Sequence, residues 1–323
     1  MGLDDRSAPA HPADLEQLMG ALEVEYVRLA ECQVSPGWRL AFQAISSPGL
    51  HYNLAGYGRM VVADRPPIEL APHTIVILPA HLPFRLEVPG EDGDTAPHTV
   101  ERSLGGIRPG HLDRFTAGPP PYSLSLICGY FRAGFGAGID PFASLGSVLV
   151  ETFEEDDRPD HLLKAASEEL ASMRVGAAAM TCVLLKQVLL TLIRRSLTEP
   201  GLWAERFSAL SDPQLSRAFS EMLAHPGAPH TIDSLARRAL LSRSAFMARF
   251  AALFGLSPMT ALRQLRMKRA ASLLAAGTLS IEQVACDVGY ASRSSFIRAF
   301  RLYHGSSPVA RHLAPQDIPL PRR

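Results

Sequence analysis

Two nonapeptides carry the side chains best suited to gripping an anion: SRSAFMARF at residues 242–250 and SRSSFIRAF at residues 292–300, fifty positions apart. Arginine presents a rigid fork of donors that matches a phosphate or the acceptor edge of a guanine, and serine adds a short hydroxyl. The first copy supplies Arg243, Ser244, Met247 and Arg249; the second supplies Arg293, Ser294, Ile297, Arg298 and, just past its end, Arg301. These residue types suit recognition of an anion. No catalytic residue is assigned.

The other reactive residue types are scattered. His51, His73, His81 and His98 stand singly, without a His-x-His pair, so no metal ligand set and no cofactor is assigned. Cys32, Cys128, Cys182 and Cys286 are far apart with no CxxC spacing, which reads as small buried apolar side chains; a thiol-based redox sensor is the alternative that sequence leaves open. Trp38, His51, Tyr57 and His81 are the candidate lining of a pocket for a small-molecule effector. The acidic run at residues 151–157, ETFEEDD, reads as a solvated face.

Net charge is zero, with 32 basic against 32 acidic side chains, yet the balance is uneven along the chain. Residues 213–313 hold thirteen Arg and Lys against four acids (Glu221, Asp233, Glu282, Asp287), about +9, so the remainder is about −9. One end of the chain is built for a polyanion.

The elements that must position these groups follow from pattern. Between residues 22 and 130, short apolar runs such as WRLAF and TIVIL alternate with period two between Gly and Pro, as successive strands of a sandwich or barrel do. The polar, Gly- and Pro-rich stretch from Glu87 to Pro121 reads as a long surface loop. Residues 161–173 and 177–197 have helical spacing, and the apolar run 180–193 is broken by Lys186 and Gln187 and too short to span a bilayer. Beyond a connector at 201–212, with Ser211 or Asp212 as a cap before Pro213, short helices are punctuated by Thr231, Ser242, Ser280 and Ser292 as N-caps and by Gly255, Gly277, Gly289 and Gly305 as stops. Each nonapeptide then opens a helix whose two Phe, four apart, face a core. In the second, Phe296, Ala299, Phe300 and Tyr303 form one stripe and leave the arginines outside.

Two helix–turn–helix units joined by one helix resemble the DNA-binding domain of AraC/XylS transcription regulators. The matching residues are Leu235-Ala and Ser242-Arg-Ser-x-Phe-x-x-x-Phe, then Ile281-x-x-Val-Ala-x-x-Val-Gly-Tyr-x-Ser-x-Ser-x-Phe-x-Arg-x-Phe-Arg, closed by Gly305-x-x-Pro308. ILPAHLPFRL, LICGYF and the helix pair after them look like the cupin-type effector domain of one branch of that family. The implied fold is α+β: a cupin-like β-barrel at residues 10–155, a dimerising helical pair at 156–200, a linker at 201–212 and an all-α double helix–turn–helix domain at 213–313. The implied partners are double-stranded DNA, read in two adjacent major grooves, a small-molecule effector, a second copy of the chain, and RNA polymerase; no membrane is implied, and the implied location is cytoplasmic. An enzyme is not implied, since cupin metal sites use His-x-His and the family's alkyl-transfer relatives use Pro-Cys-His, whereas Cys128 lies in Ile-Cys-Gly; the alternative is a cupin-type enzyme whose basic tail is incidental. One departure stands out. Arg298 is the seventh residue of its nonapeptide, while the first copy has Ala248 there and Arg249 one step later, a turn of about 100° toward the Phe246–Phe250 side. That predicts a phosphate contact for Arg249 instead of a base.

Overall fold

The computed structural model describes residues 12–90, 97–102, 111–135, 140, 142, 145–154, 159–198 and 212–308. Its contacts divide into two compact units, one taking the described parts of 22–134 and 140–208, the other those of 1–21, 135–139 and 209–323. Of the expected linker at 201–212, residues 201–211, Ser211 among them, lie outside the described residues, as does the stretch 309–313.

Eleven strands are described in the first unit: β1 (Glu23–Val34), β2 (Trp38–Phe42), β3 (Gly49–Gly56), β4 (Gly58–Val62), β5 (Ile68–Leu70), β6 (Thr74–Leu78), β7 (Phe84–Val88), β8 (His98–Arg102), β9 (Leu112–Ala117), β10 (Leu124–Gly134) and β11 (Leu149–Thr152). They form a six-stranded sheet, β11-β6-β3-β10-β1-β9, and a five-stranded sheet, β5-β4-β7-β2-β8. Alternate residues from both sheets, among them Leu40, Met60 and Leu86 on one side and Val76, Leu126 and Cys128 on the other, close on one core. The expected loop from Glu87 to Pro121 is corrected: β7 ends in it, and β8 and β9 pair in parallel with β2 and β1 at the sheet edges. Edge strands of this kind leave most side chains in solvent, as the exposure of β8 does, so their sequence lacks the apolar alternation that marks a strand.

On the face of β7 opposite Leu86, Glu87 lies directly across from Arg39 and Arg59 in the ladders and accepts from their Nε atoms at 2.8 and 2.7 Å. Arg85 adds a third contact at 3.4 Å. Three cations around one buried carboxylate stitch β2, β7 and β4 together; burial alone would raise the Glu87 carboxyl, but Arg39 and Arg59 hold it below its ordinary pKa.

Helices α2 (Asp160–Ser172) and α3 (Ala177–Thr198) pack on each other and on the six-stranded sheet. Leu163, Ala166 and Leu170 of α2 and Leu185, Val188, Leu189 and Leu192 of α3 are buried. The expectation that the α3 region is too short for a bilayer needs correcting, because its 19 residues Ala177–Arg195, at mean hydropathy 1.6, reach that length. One face of α3 is used for packing instead. Its last turn carries Arg195, whose Nε lies 2.6 Å from Glu151 Oε1, so the first residue of the acidic run is an ion-pair partner and not a solvated end.

The second unit is helical: α1 (Pro12–Ala21), α4 (Pro213–Ala224), α5 (Ile232–Arg238), α6 (Arg243–Phe254), α7 (Pro258–Ala276), α8 (Ile281–Asp287) and α9 (Arg293–His304). Asp212 caps α4, accepting from the amides of Gln214 and Leu215 at 3.0 and 3.1 Å, and Pro213 supplies a first turn that needs no donor. α1 packs on α4, where Ser220 Oγ donates to Asp14 Oδ1 at 2.6 Å, and the ring of Phe135 meets Phe219 edge-on at 5.4 Å.

Candidate nucleic-acid interface

Each helix–turn–helix is fixed at its ends by side chains of the sequence repeat. Thr231 and Ser280 open α5 and α8 with capping boxes, closed by Ser234 and Gln283. Ser242 and Ser292 then accept from the amides of Ala245 and Ser295, which starts α6 and α9 one residue before Arg243 and Arg293. Gly255 and Gly305 stop both helices in the left-handed region. Between the paired helices the chain must also turn left-handed: Gly289 does so at φ 79°, and at the matching point of the first unit Leu240 does so at φ 54°.

Phe246, Phe250, Phe296 and Phe300 are fully buried, so the faces opposite them point outward. Arg243, Ser244, Arg293, Ser294, Arg298 and Arg301 are exposed, and Met247 is 40% exposed. Ile297 is half-buried and packs on the cluster formed by Met267, Leu274, Val284 and Phe300, so only part of it is presented. Arg249 is drawn elsewhere. Its guanidinium pairs with Asp212 and donates to Gln214 Oε1 at 2.6 Å, joining α6 to the start of α4. The one-residue shift between the copies accounts for this, since it carries the side chain round the helix to a partner 37 residues earlier.

All four acids of the basic segment lie against arginines: Glu221 with Arg238 at 3.4 Å, Asp233 with Arg243 at 3.6 Å, Glu282 with Arg293 at 3.0 Å and Asp287 with Arg269 at 2.8 Å. Two of these pairs repeat, each setting the second residue of the first helix against the first residue of the outward helix. Such exposed pairs stabilise little, but they aim a guanidinium. Arg266 acts on the backbone instead. Its Nε and Nη2 donate to the carbonyls of Pro226 and Ala228 at 2.8 and 2.9 Å, and burial lowers its pKa. A Cβ on Gly227 would overlap the Asp287 carbonyl oxygen, and one on Gly289 would lie 2.5 Å from the Gly227 carbonyl oxygen. The loop before α5 and the turn before α9 are thus in backbone contact, clamped by one arginine of α7.

In the first unit the four residues expected to line an effector pocket occupy unlike places. Trp38 is half-buried beside His98, its ring centroid 5.0 Å away; His51 is fully buried; Tyr57 is 71% exposed; His81 is exposed in a turn at φ 65°. A separate cleft of about 270 Å³ opens among His111, Leu112 and Arg114 at the β9 edge and Leu170, Ala171 and Met173 at the end of α2. Nothing in sequence marks it, because the edge strand pairs with a segment some eighty residues earlier. Among the described residues no three His, Cys, Asp or Glu side chains group as a metal site.

The helix-turn-helix domain family matches residues 235–310 and the cupin family matches residues 14–198. The transcriptional regulator AlkR of Acinetobacter baylyi is 37% identical over 112 residues, 35% of this chain and 36% of its own length, so the chain spans about a third of that relative. The transcriptional regulator MtrA of Neisseria gonorrhoeae is 26% identical over 302 residues, 91% of this chain and 94% of its own. The solved DNA-binding domain of AdpA, crystallised with a target DNA, aligns over 32% of this chain and 91% of its own at 33% identity and a TM-score of 0.30. With the cupin match spanning more than half of the residues and the helix-turn-helix match falling on the two capped units, this chain belongs to the AraC family of transcription regulators, in a form that carries a cupin domain ahead of its helix-turn-helix domain.

Proposed function

We propose that the chain binds specific sites in double-stranded DNA as a cytoplasmic transcription regulator, with α6 and α9 entering adjacent major grooves on one face of the duplex. The observation that carries this reading is the pair of outward helix faces, each begun by an arginine aimed by an acid from the preceding helix. A helix of that kind fits a groove about 12 Å wide, and adjacent grooves on one face are about one turn, roughly 34 Å, apart. Arg243, Ser244, Met247, Arg293, Ser294 and the open part of Ile297 are the base-reading set; Arg298 and Arg301 hold phosphates. Arg249, engaged with Asp212 and Gln214, supports the helix and leaves the reading to its neighbours.

The cupin unit is the seat of effector control, and α3 joins two copies. Along α3 the side chains of Met180 and Val183 are 49% and 60% exposed, next to Met173 and Val175 in the turn before it, an apolar strip that a twin helix would cover. RNA polymerase is the partner through which a bound regulator acts. Titration of the full chain against a selected DNA pool at several salt concentrations tests the central reading. Affinity should fall steeply as salt rises and differ between sequences; binding that is absent, or equal for all duplexes, would sink it.

A further inference from the structure

The core of the cupin unit holds a reactive trio that packing alone does not explain. β1 and β10 pair so that Ala30 faces Cys128 and Cys32 faces Leu126, which makes Cys32 and Cys128 diagonal neighbours on the core face, 0% and 2% exposed. On the other side of β10, His51 of β3 lies directly across from Cys128. This imidazole is fully buried between the rings of Phe84 and Tyr130, at 4.5 and 5.9 Å, and among the described residues neither of its nitrogens bonds to a nitrogen or oxygen atom, which leaves the Cys128 thiol as its polar partner. Its space is reserved, since a Cβ on Gly49 would come within 2.6 Å of Nε2. A buried imidazole paired only with a thiol costs free energy that an apolar residue would not, so packing alone does not account for it.

The two thiols are unequal. Burial pushes Cys32 well above the ordinary thiol value, and the charge and hydrogen bond of Cys128 push it further. Cys128 is also opposed by burial, yet a hydrogen bond from Cys32 and the charge of His51 bring it below the ordinary value.

We propose that Cys32 and Cys128 are a reversible dithiol–disulfide pair through which the cupin unit responds to two-electron oxidants of the hydroperoxide class, with Cys128 the attacking sulfur, Cys32 the resolving one and His51 the residue that positions the attacking sulfur. The Cys128 thiolate attacks one peroxide oxygen; the O–O bond breaks, the departing oxygen leaves as an alcohol or water after taking a proton, and Cys128 becomes a sulfenic acid. Cys32 then attacks the Cys128 sulfur, forming S–S and breaking S–O, and its proton leaves with the hydroxyl as water. Two thiols and one hydroperoxide yield one disulfide, one alcohol and one water, the two electrons passing from sulfur to peroxide oxygen. Diagonal strand neighbours lie about 7–8 Å apart at the backbone, whereas disulfides usually span about 4.4–6.8 Å between Cα atoms. Closing the bond therefore requires β1 and β10 to slide along each other, and the regular ladder already breaks between Tyr26 and Arg28, two residues before the Ala30 that faces Cys128. As a control of DNA affinity the pair rests on the function proposed above; as a chemical site it does not.

The test uses the reduced full chain, hydrogen peroxide, and peptide mapping after alkylation of all remaining thiols under denaturing conditions. The expected product links Cys32 to Cys128, reverts with dithiothreitol, and appears while Cys182 and Cys286 are still alkylated. Oxidation of Cys182 or Cys286 first, with the core pair untouched, would overturn the proposal, as would a Cys128 sulfinic acid beside a free Cys32. In Cys32→Ala the Cys128 sulfenic acid should persist and be trapped by dimedone, while in Cys128→Ala Cys32 should stay reduced; the reverse pattern refutes the assigned roles. His51→Gln should slow oxidation roughly tenfold with an unchanged near-ultraviolet circular dichroism spectrum, and an unchanged rate removes His51 from the scheme. Selected DNA should bind the oxidised and reduced chains with affinities that differ several-fold, and equal affinities reject the regulatory step. A chain that forms the disulfide but binds no DNA in either state refutes the DNA reading and leaves the thiol chemistry standing.

Discussion

Arg293 and Arg298 share a helix and an exposed face, but only Arg293 is braced by an acid, Glu282 at 3.0 Å. In the proposed docking the braced guanidinium is the base reader and the unbraced one the phosphate contact. Arg293→Ala should therefore cost about 1–3 kcal/mol on the preferred duplex and flatten the preference at one base pair, whereas Arg298→Ala should weaken all duplexes alike and lower the salt slope by about one. Parallel titrations of both variants on preferred and scrambled DNA check this; identical profiles would erase the distinction. Leu240 offers a test of backbone strain. It holds the left-handed conformation that Gly289 holds in the second unit, a conformation costing a non-glycine residue about 1–2 kcal/mol. Leu240→Gly should raise the midpoint of denaturant unfolding, and a lower midpoint would mean that the leucine side chain contributes more than the strain costs. These positions also mark how far sequence reading reaches. Caps and buried Phe pairs depend on neighbours within one helix and were legible. The partner of Arg249, and the meeting of His51 with Cys128, depend on distant chain segments and strand register, which no local spacing encodes.

Among the elements, α1 is the one whose place the residue pattern hid. Its ten residues carry one buried side chain, Leu18, so the apolar stripe that announces a packed helix is missing. It nevertheless covers α4 in the same compact unit as the helix–turn–helix pair, and Phe135 adds its ring to Phe219 there. A fragment that starts at residue 205 would lack the Phe135 ring against Phe219 and the Asp14 carboxylate that Ser220 donates to. Phe135→Ala should cost about 3–5 kcal/mol, read as faster hydrogen exchange in α4, with β7 and β10 exchanging as before. Unchanged α4 protection would show that this contact contributes nothing. The β elements answer to acid. Because the Glu87 carboxyl is depressed in the folded chain, the stabilisation from its three arginines is fully present above the ordinary glutamate value of about 4.3 and is lost as pH falls through the lower folded value. Acid unfolding of the β-sheets followed by circular dichroism should shift its midpoint in Glu87→Gln, while stability at neutral pH falls because three cations lose their counter-charge. A wild-type acid midpoint unchanged in the variant would remove Glu87 from that transition.

At the scale of the whole molecule, a charge split of about +9 against −9 separates the part that meets a polyanion from the rest. If α3 joins two chains, four outward helices share one tether, and the second engagement gains about 10²–10⁴-fold in avidity without a new contact. Met180→Glu with Val183→Glu should turn a sedimenting dimer into a monomer and remove that gain, leaving the salt slope per chain in place. A wild type already monomeric at micromolar concentration would refute the α3 interface. The clamp of Arg266 on Pro226 and Ala228, with Gly227 and Gly289 in backbone contact, reaches beyond stability. It makes the interval between the two reading helices a fixed ruler set by the protein. A duplex with one base pair inserted between the half-sites presents its second groove both farther away and rotated about the axis, and a rigid ruler cannot follow it. If the two helices read adjacent grooves as proposed, the sites this chain serves are held in helical phase: single-letter drift within a half-site weakens binding gradually, while an insertion or deletion between half-sites abolishes it in one step.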